Sequence, residues 1–475
     1  MTADKTLIAK TACEIVGLLK SDEISPLDLL DTLEERIAEV DPAVNALPTL
    51  CFDRARKAAD AVMKRGPADR GVLAGAPVAI KDLTEVKGVR TTWGSPIYAD
   101  HIAERNDLFV DFLEQSGGVV YAKSNTPEFG AGANTFNEVF GRTLNPWDTS
   151  KSCAGSSGGS AVALASGSAW LASGSDLGGS LRNPASFCSI VGMRPSPGRV
   201  AHDAPTSRYQ NTGVDGPMAR NVADVAMLLD AMVGEHPEDP ISLATPATSF
   251  SDAVAERRRP LKVAFSRDLG VTPVDPEVAE ICERAAQRFQ ELGAVVEEAH
   301  PDFTGLQDIF QTMRAIGFFT SKQELLETHR DKLKPEVIWN IDRARDITVE
   351  DVARVDIARG RIHMNMVAFM SEYDLLLSPA TIVPPYPIEQ RYVERLGDHE
   401  FSNYIEWCSI AYAITITGCP ALSMPCGFTK SGLPVGLQVV GRQRGEADLL
   451  SKAALFEEVM DLTKLVPIIP RPPKA

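Results

Sequence analysis

One segment, residues 153–187, concentrates the side chains and backbone groups that could do chemistry. Its sequence, CAGSSGGSAVALASGSAWLASGSDLGGSLRNPASF, is rich in serine and glycine. The apolar pieces AVALA and AWLA interrupt it, whereas flexible linkers are uniformly polar. A phosphate-binding loop is also disfavoured, because no GK[ST] ending follows the glycines and GSDLGGS lacks the GxGxxG spacing. The segment therefore favours chemistry by a serine nucleophile.

Two arrangements would make a serine of this segment the nucleophile. In the first, GSSGG at 155–159 matches the GxSxG elbow with Ser157 at its centre. That elbow needs a histidine and an acid later in the chain, and no later histidine lies in a recognisable triad context. In the second, Ser180 of DLGGS is the nucleophile, and backbone N–H groups of the glycine-rich turn surround one oxyanion. These N–H groups are those of Leu177, Gly178, Gly179 and Ser180.

In the second arrangement a lysine is the remaining candidate for the base. Lys81 follows the apolar run PVAI, which predicts a buried strand that ends near the lysine. Burial disfavours the ammonium form, lowers the pKa of a lysine and lets it accept a proton. Asp82 follows directly, but successive side chains of a strand point to opposite faces. A lysine after a strand is usually exposed, and only the surrounding motifs favour the buried alternative.

Alternating strands and helices would position these residues. The pattern predicts strands near residues 78, 120, 376, 423 and 437, which we expect to share one sheet. Neither an internal repeat nor a low-complexity linker interrupts the chain. We therefore expect one α/β domain over residues 1–475. Its catalytic core would span about 70–235 and 373–465, and a helical cap would span about 300–372.

Composition restricts the class of protein. The 475 residues carry a formal net charge of −16, which disfavours binding to nucleic acid. No apolar run reaches the 18 residues of a membrane-spanning helix. The eight cysteines form no CxxC pair, so we expect no zinc site, and free thiols favour a reducing, cytoplasmic location.

The chain resembles the amidase signature family. GSSGGSA followed by GSDLGGSLRNPASF, with PVAIKD upstream, carries the resemblance, which extends over about residues 5–465 and is weakest from about 235 to 370. Further matching segments are GVRTTWGS, SNTPEFG, GRTLNPWDTSKS, DGPMARNVADVAMLLD and TGCPALSMPCGFTKSGLPVGLQVVG. The resemblance implies the amidase signature fold, in which α-helices flank a large mixed sheet.

The resemblance also implies a Ser–cis-Ser–Lys triad of Lys81, Ser156 and Ser180, with a cis peptide bond before Ser156. Neutral Lys81 would take a proton through Ser156 from Ser180, which attacks the amide carbonyl and forms an acyl-enzyme. The oxyanion would be held by the four N–H groups named above. No metal and no organic cofactor is implied. Supporting roles fall on Ser157, Ser175, Asp176 and Arg182, the last two as a pair that braces the loop.

Two positions depart from the usual family pattern. Most members have two glycines before the paired serines, whereas this chain has Ala154 and Gly155. We expect the alanine methyl group to narrow the space near Ser156. Leu177 stands where threonine or isoleucine is common, and leucine should be tolerated because only the backbone acts there.

The resemblance leaves two kinds of activity open. In the A-type chain of glutamyl-tRNA(Gln) amidotransferase, a glutaminase within a complex, the segment after GRV usually reads YGLVAFASSLDQIGP. Here residues 201–217 read AHDAPTSRYQNTGVDGP, which favours a free-standing amidase and leaves, as the alternative, the A-type glutaminase subunit. The partner is then a small-molecule amide or carbamate, and the resemblance allows a homodimer.

Candidate substrate contacts follow from loops that shape the pocket in this family. Asn134 would hydrogen-bond the substrate amide, although a turn residue is an equally ordinary role for it. Tyr209 would line or gate the entrance, although it also suits an exposed loop. A pocket that contains Tyr209, Phe401 and Tyr404 would favour aryl or hydrophobic amides, anilides or carbamates.

Overall fold

The computed structural model describes residues 5–473. Within them the strands are β1 (Thr49–Leu50), β2 (Pro77–Lys81), β3 (Val119–Ser124), β4 (Phe136–Asn137), β5 (Gly141–Arg142), β6 (Leu171–Asp176), β7 (Val191–Arg194), β8 (Val214–Ala219), β9 (Lys262–Phe265), β10 (Val295–Glu298), β11 (Leu375–Pro379), β12 (Arg395–Leu396), β13 (His399–Glu400), β14 (Ala421–Phe428) and β15 (Pro434–Val440). The α-helices are α1 (Ala12–Lys20), α2 (Pro26–Val44), α3 (Phe52–Met63), α4 (Leu108–Gln115), α5 (Gly158–Ser166), α6 (Arg182–Cys188), α7 (Val222–Met232), α8 (Phe250–Glu256), α9 (Pro276–Gln287), α10 (Leu306–His329), α11 (Pro335–Arg343), α12 (Val349–Glu372), α13 (Ser409–Thr417) and α14 (Glu446–Met460).

One mixed sheet of eleven strands forms the centre of the fold. Its strand order is β1-β3-β2-β6-β8-β7-β14-β15-β11-β9-β10. β2 pairs in parallel with β3 and β6, and β9 pairs in parallel with β10 and β11. The remaining pairs of this sheet are antiparallel. The predicted α/β class with a large mixed sheet flanked by helices is confirmed.

The parallel pair β2–β6 positions the chemistry. Val78 of β2 lies opposite Leu171 of β6, and the two strands run in the same direction. Their carboxyl ends, at Lys81 and Asp176, therefore lie at the same edge of the sheet. The glycine-rich turn that contains Ser180 begins directly after β6.

Helix α5 brings the paired serines to this edge. It begins at Gly158, directly after Ser156 and Ser157, and each of its nine residues is buried. Its side chains are mostly those of glycine, alanine and serine, which lets the helix pack closely against β2, β3 and β6.

Three helices, α10 to α12, occupy residues 306–372, as the helical pattern of this region predicts. Apolar side chains of α10 and α12 pack with those of α13 in one core cluster, which contains Phe310, Ile362 and Tyr412. The division of the chain into a catalytic core and a cap stays a prediction.

All five strands that we expected to share a sheet do so, as β2, β3, β11, β14 and β15. The sequence pattern missed β6, β7 and β8. Two of these carry residues that are rare in strands, since β6 reads LASGSD and β8 reads VDGPMA. Tertiary packing in the centre of a buried sheet outweighs those low propensities.

None of the helices formed by residues 5–473 combines the length and the apolar character needed to cross a membrane. In the same range, no group of three or more histidine, cysteine, aspartate or glutamate side chains could hold a metal ion.

Candidate active site

Lys81, the last residue of β2, is the centre of a polar cluster inside the protein. It is only 1% exposed. Its Nζ lies 2.7 Å from Ser156 Oγ and 2.9 Å from both Ser157 Oγ and Ser175 Oγ. The start of α5 and the end of β6 thus supply three hydroxyl groups to one amine.

Burial gives this amine a pKa suited to proton transfer. Desolvation lowers the pKa of Lys81 from 10.5 to about 7, although the carboxylates of Asp215 and Asp176 oppose the shift. Asp82 is directed elsewhere, since it lies 3.3 Å from Lys123 Nζ and accepts a hydrogen bond from the Thr92 N–H. A substantial fraction of Lys81 is therefore neutral near pH 7.

The loop before α5 holds the paired serines. The Gly155–Ser156 peptide bond is cis. Ala154 has φ 59°, a left-handed conformation that favours glycine. Its N–H donates to Ser152 Oγ at 2.9 Å, and its carbonyl accepts from Thr135 Oγ1 at 2.9 Å. Ala154 itself is not among the residues that line the cavity beside Ser156.

A buried ion-pair network braces the turn after β6. The Asp176 carboxylate accepts hydrogen bonds from the Gly179 and Leu181 N–H groups and from two guanidinium nitrogens of Arg182, all within 3.2 Å. Arg194 lies 3.3 Å from the same carboxylate. Burial alone would raise the pKa of Asp176, but Arg182 and Arg194 outweigh it and hold that pKa well below its usual range.

This network changes the predicted oxyanion site. The Gly179 N–H is engaged by Asp176, which contradicts our expectation that all four N–H groups of the turn are free. Those of Leu177, Gly178 and Ser180 make no hydrogen bond to any part of the chain that the structure describes. Gly179 instead permits the turn, because its φ is +105° and a Cβ atom would lie 2.6 Å from Asn183 Oδ1. Three N–H groups remain for an oxyanion.

The Ser180 side chain faces the same cavity as Ser156 and Ser175. The Ser180 carbonyl accepts a hydrogen bond from the Ser157 N–H at 3.2 Å, which ties the two serine loops together. No hydrogen bond joins Ser180 Oγ to Ser156 Oγ. Catalytic hydrogen bonds are often long before substrate binds, so this spacing is compatible with a relay.

A cavity of about 110 Å³ opens beside these serines. The large apolar side chains that line it are those of Leu83, Phe129, Leu177, Phe318 and Ile405. Among the lining residues that the structure describes, Arg314 of α10 is the one with a charged side chain. A larger cavity, about 720 Å³, lies far from the cluster between the ends of the chain and α2. We place the candidate site in the smaller cavity because the polar cluster is there.

The predicted substrate contacts are not brought to this cavity. Asn134 is buried, donates from its amide to the Gln390 carbonyl at 2.5 Å and accepts from Ser152. Its amide is thus engaged within the protein. Tyr209 is 78% exposed and lies outside the cavity lining.

The predicted aromatic pocket is also not formed. Phe401 and Tyr404 are buried in the core cluster of the helical region rather than exposed to the cavity. The Tyr404 hydroxyl instead accepts a hydrogen bond from Arg314. The sequence reasoning missed Arg314 and Phe318, whose spacing of four residues on α10 was the available signal that they share a helix face.

Comparisons with known proteins identify the family. The family model described as amidase matches residues 28–450. The chain belongs to the amidase signature family. It is 36% identical to an acylamidase of Rhodococcus erythropolis in an alignment of 456 residues that covers 94% of this chain and 95% of that protein. It is 35% identical to the A-type chain of the glutamyl-tRNA(Gln) amidotransferase of Moorella thermoacetica, over 94% of this chain and 96% of that protein.

A solved structure of a bacterial aryl acylamidase of the amidase signature family is similar as well. It superimposes with a TM-score of 0.89 at 28% identity and covers 97% of this chain and 99% of that one. The predicted family, fold class and general activity, hydrolysis of amide C–N bonds, are thereby confirmed. Sequence identity alone does not separate an acylamidase from a glutaminase subunit, because the two relatives are equally similar.

Proposed function

We propose that the chain is a free-standing hydrolase of small hydrophobic or aryl amides, with Ser180 as nucleophile, Ser156 as proton relay and Lys81 as base. The observation that carries the proposal is the buried Lys81 amine within 2.9 Å of three serine hydroxyl groups. An amine with a pKa of about 7 is close to the optimum for a general base at neutral pH.

Acylation uses this base. Ser156 passes a proton to Lys81 Nζ and takes one from Ser180 Oγ, which attacks the carbonyl carbon of the amide. The N–H groups of Leu177, Gly178 and Ser180 stabilise the oxyanion, and Ser156 returns a proton to the leaving nitrogen. Asp176 and Arg182 are positioning residues, because they fix the turn that presents these N–H groups.

Deacylation repeats the sequence with water. Water loses a proton through the same relay, attacks the ester carbonyl and releases the acid, which regenerates the Ser180 hydroxyl. A carbamate has the same attacked carbonyl, and we extend the proposal to aryl carbamates for that reason.

The cavity supports an apolar substrate over glutamine. Five large apolar side chains line it, and no aspartate or glutamate lines it within the described part of the chain. The α-ammonium group of glutamine would therefore be buried without an acidic partner, which is unfavourable. The glutaminase subunit stays the alternative because of the 35% identity to such a protein.

The test is a substrate panel with purified protein and matched serine variants. The panel contains an acyl 4-nitroanilide, a 4-nitrophenyl carbamate, a short aliphatic amide and glutamine. Ser180→Ala should abolish turnover and labelling by a fluorophosphonate, whereas Ser168→Ala, a buried serine of the same segment outside the cluster, should retain both. Full activity in Ser180→Ala would refute the mechanism, and turnover of glutamine alone would favour the alternative.

A further inference from the structure

Arg314 has an unusual environment for a buried arginine. It is 6% exposed and lines the cavity beside the serine cluster. Its Nε donates to Asn340 Oδ1 at 2.9 Å, and its Nη2 donates to the Tyr404 hydroxyl at 2.7 Å. The Phe318 ring lies against the guanidinium, with its centroid 4.8 Å from Cζ. These contacts hold the side chain in one orientation, and all of them are neutral.

No carboxylate of residues 5–473 pairs with this guanidinium within 4 Å, and its Nη1 makes no hydrogen bond within that range. Arg182 and Arg194, which are fully buried, both pair with Asp176. Buried charges are normally paired, because an isolated charge in an apolar environment is costly. Arg314 is thus a fixed positive charge that has no negative partner and reaches the cavity.

The acids of this region are engaged elsewhere. Both oxygens of Glu336 accept hydrogen bonds from Arg391. Glu128 accepts from the Ser95 hydroxyl and from the Lys334 N–H. Neither carboxylate forms an ion pair with Arg314 within 4 Å.

Two lysines add positive charge around the same cavity. The buried Nζ of Lys334 has no hydrogen-bond partner within the described chain, and it lies 3.1 Å from the Cβ position of Gly132, a wall residue. Lys322 Nζ lies 4.9 Å from the ring centroid of Phe129, another wall residue. Burial lowers the pKa of Lys334 to about 8, although Glu336 and Glu128 oppose the shift, so its charge is retained at neutral pH.

We propose that Arg314 binds a carboxylate of the substrate, so that the preferred amide carries one negative charge on its acyl or its amine part. This inference rests on the proposed function and specifies its substrate class. A guanidinium donates paired N–H groups to the two oxygens of a carboxylate, and such charge-assisted pairs are strong. A monoanionic amide with an apolar body would satisfy both the apolar walls and the unpaired charge.

The test compares substrates that differ only in that charge. On the acyl side, succinic acid mono-4-nitroanilide is paired with 4-methylpentanoyl 4-nitroanilide, in which an isopropyl group replaces the carboxylate. On the amine side, 4-acetamidobenzoate is paired with 4-isopropylacetanilide. In at least one pair the kcat/KM of the wild type should be about tenfold or more higher for the anion. Hydrogen bonds between charged groups are strong enough to produce a difference of this size.

Arginine variants then show whether Arg314 causes the preference for the anionic substrate. Arg314→Met should abolish the preference for the anion, because it should lower kcat/KM at least about tenfold more for the anionic than for the neutral member of a pair. Arg314→Lys should retain part of the preference. Arg361→Met is the matched control, because Arg361 is an exposed arginine of α12. Calorimetric titration of Ser180→Ala with each substrate pair measures the same preference without catalysis. Fluorophosphonate labelling of Ser180 shows that each arginine variant is folded.

Each outcome decides one proposal. Equal turnover of both members of both pairs by the wild type overturns the carboxylate assignment and leaves the proposed hydrolase standing. Equal losses on charged and neutral substrates in Arg314→Met assign a structural role and also overturn it. If the wild type turns over none of the four substrates and Ser180 is not labelled, the proposed function fails, and calorimetry still decides whether the cavity selects a carboxylate.

Discussion

The acid limb of the pH–rate profile tests the assignment of Lys81 as the base. In this experiment the pH is varied from 5 to 9 with a neutral acyl anilide as substrate. Because neutral Lys81 must accept a proton, activity is present above the pKa of Lys81 and is lost as the pH falls below it. We expect a limb of unit slope with its midpoint near pH 7, which is the folded-state pKa of this lysine.

Burial of the amine determines how much of Lys81 is neutral at a given pH. At pH 7.5 a lysine with the ordinary pKa of 10.5 is neutral in about 0.1% of molecules, whereas a pKa of about 7 leaves about 75% neutral. Burial thus raises the concentration of active base by several hundred-fold, on the order of 5 kcal/mol of differential solvation.

The assay is kcat/KM against pH, because this ratio reports the pKa values of the free enzyme. A second series follows the rate of fluorophosphonate labelling of Ser180, which needs the same base but no amide leaving group. Both midpoints should agree. A profile that is flat from pH 5 to 9, or one that still rises steeply above pH 9, would refute the reasoning that burial makes Lys81 the base.

Three further predictions concern the elements around this base. The cost of burying Lys81 is greatest below pH 7 and declines as the pH rises towards 10.5, so Lys81→Met should stabilise the fold most at low pH. The gain of this variant over the wild type in the free energy of unfolding should be about 3 kcal/mol smaller at pH 9 than at pH 6. Urea titrations at the two pH values measure this gain, and a gain independent of pH would contradict the lowered pKa of Lys81. Asp176→Ala leaves Arg182 and Arg194 buried without their acid and should cost about 3–5 kcal/mol of stability. An unchanged melting temperature would argue against the network. Gly179→Ala places a Cβ 2.6 Å from Asn183 in a left-handed turn and should lower kcat by about 100-fold or more with the fold retained. Wild-type kcat in this variant would show that the turn does not form the oxyanion site.

Much of the candidate site could be predicted from sequence because its residues lie in contiguous motifs. Lys81 follows an apolar run that predicts a buried strand. Ser156 and Ser180 lie in one segment, on either side of helix α5 and strand β6. Local spacing and family resemblance together identified these residues. Local spacing did not show that the Gly179 N–H would be used by Asp176, since that hydrogen bond depends on the path of the turn.

The walls of the cavity could not be predicted in the same way. Arg314 and Phe318 line the cavity from α10, more than 130 residues later in the chain than Ser180, and the packing of helices places them there. Asn134 was a reasonable candidate by position, yet its amide is used within the protein. Which polar group remains unpaired depends on every other partner in the fold, and a linear pattern does not contain that information.

A comparison of two buried lysines shows why Lys81 rather than its neighbour can act as a base. Lys123 lies on β3 next to β2, and burial lowers its pKa as well. However, Lys123 Nζ lies 3.3 Å from the Asp82 carboxylate and donates to the Thr84 carbonyl, and both contacts favour the ammonium form. The contacts of Lys81 Nζ are hydroxyl groups, which stabilise the amine and the ammonium alike. Asp82 is the first residue after β2, and its carboxylate pairs with Lys123 rather than with Lys81. The direction of one carboxylate thus separates the ion pair at Lys123 from the Lys81 amine, whose partners are hydroxyl groups.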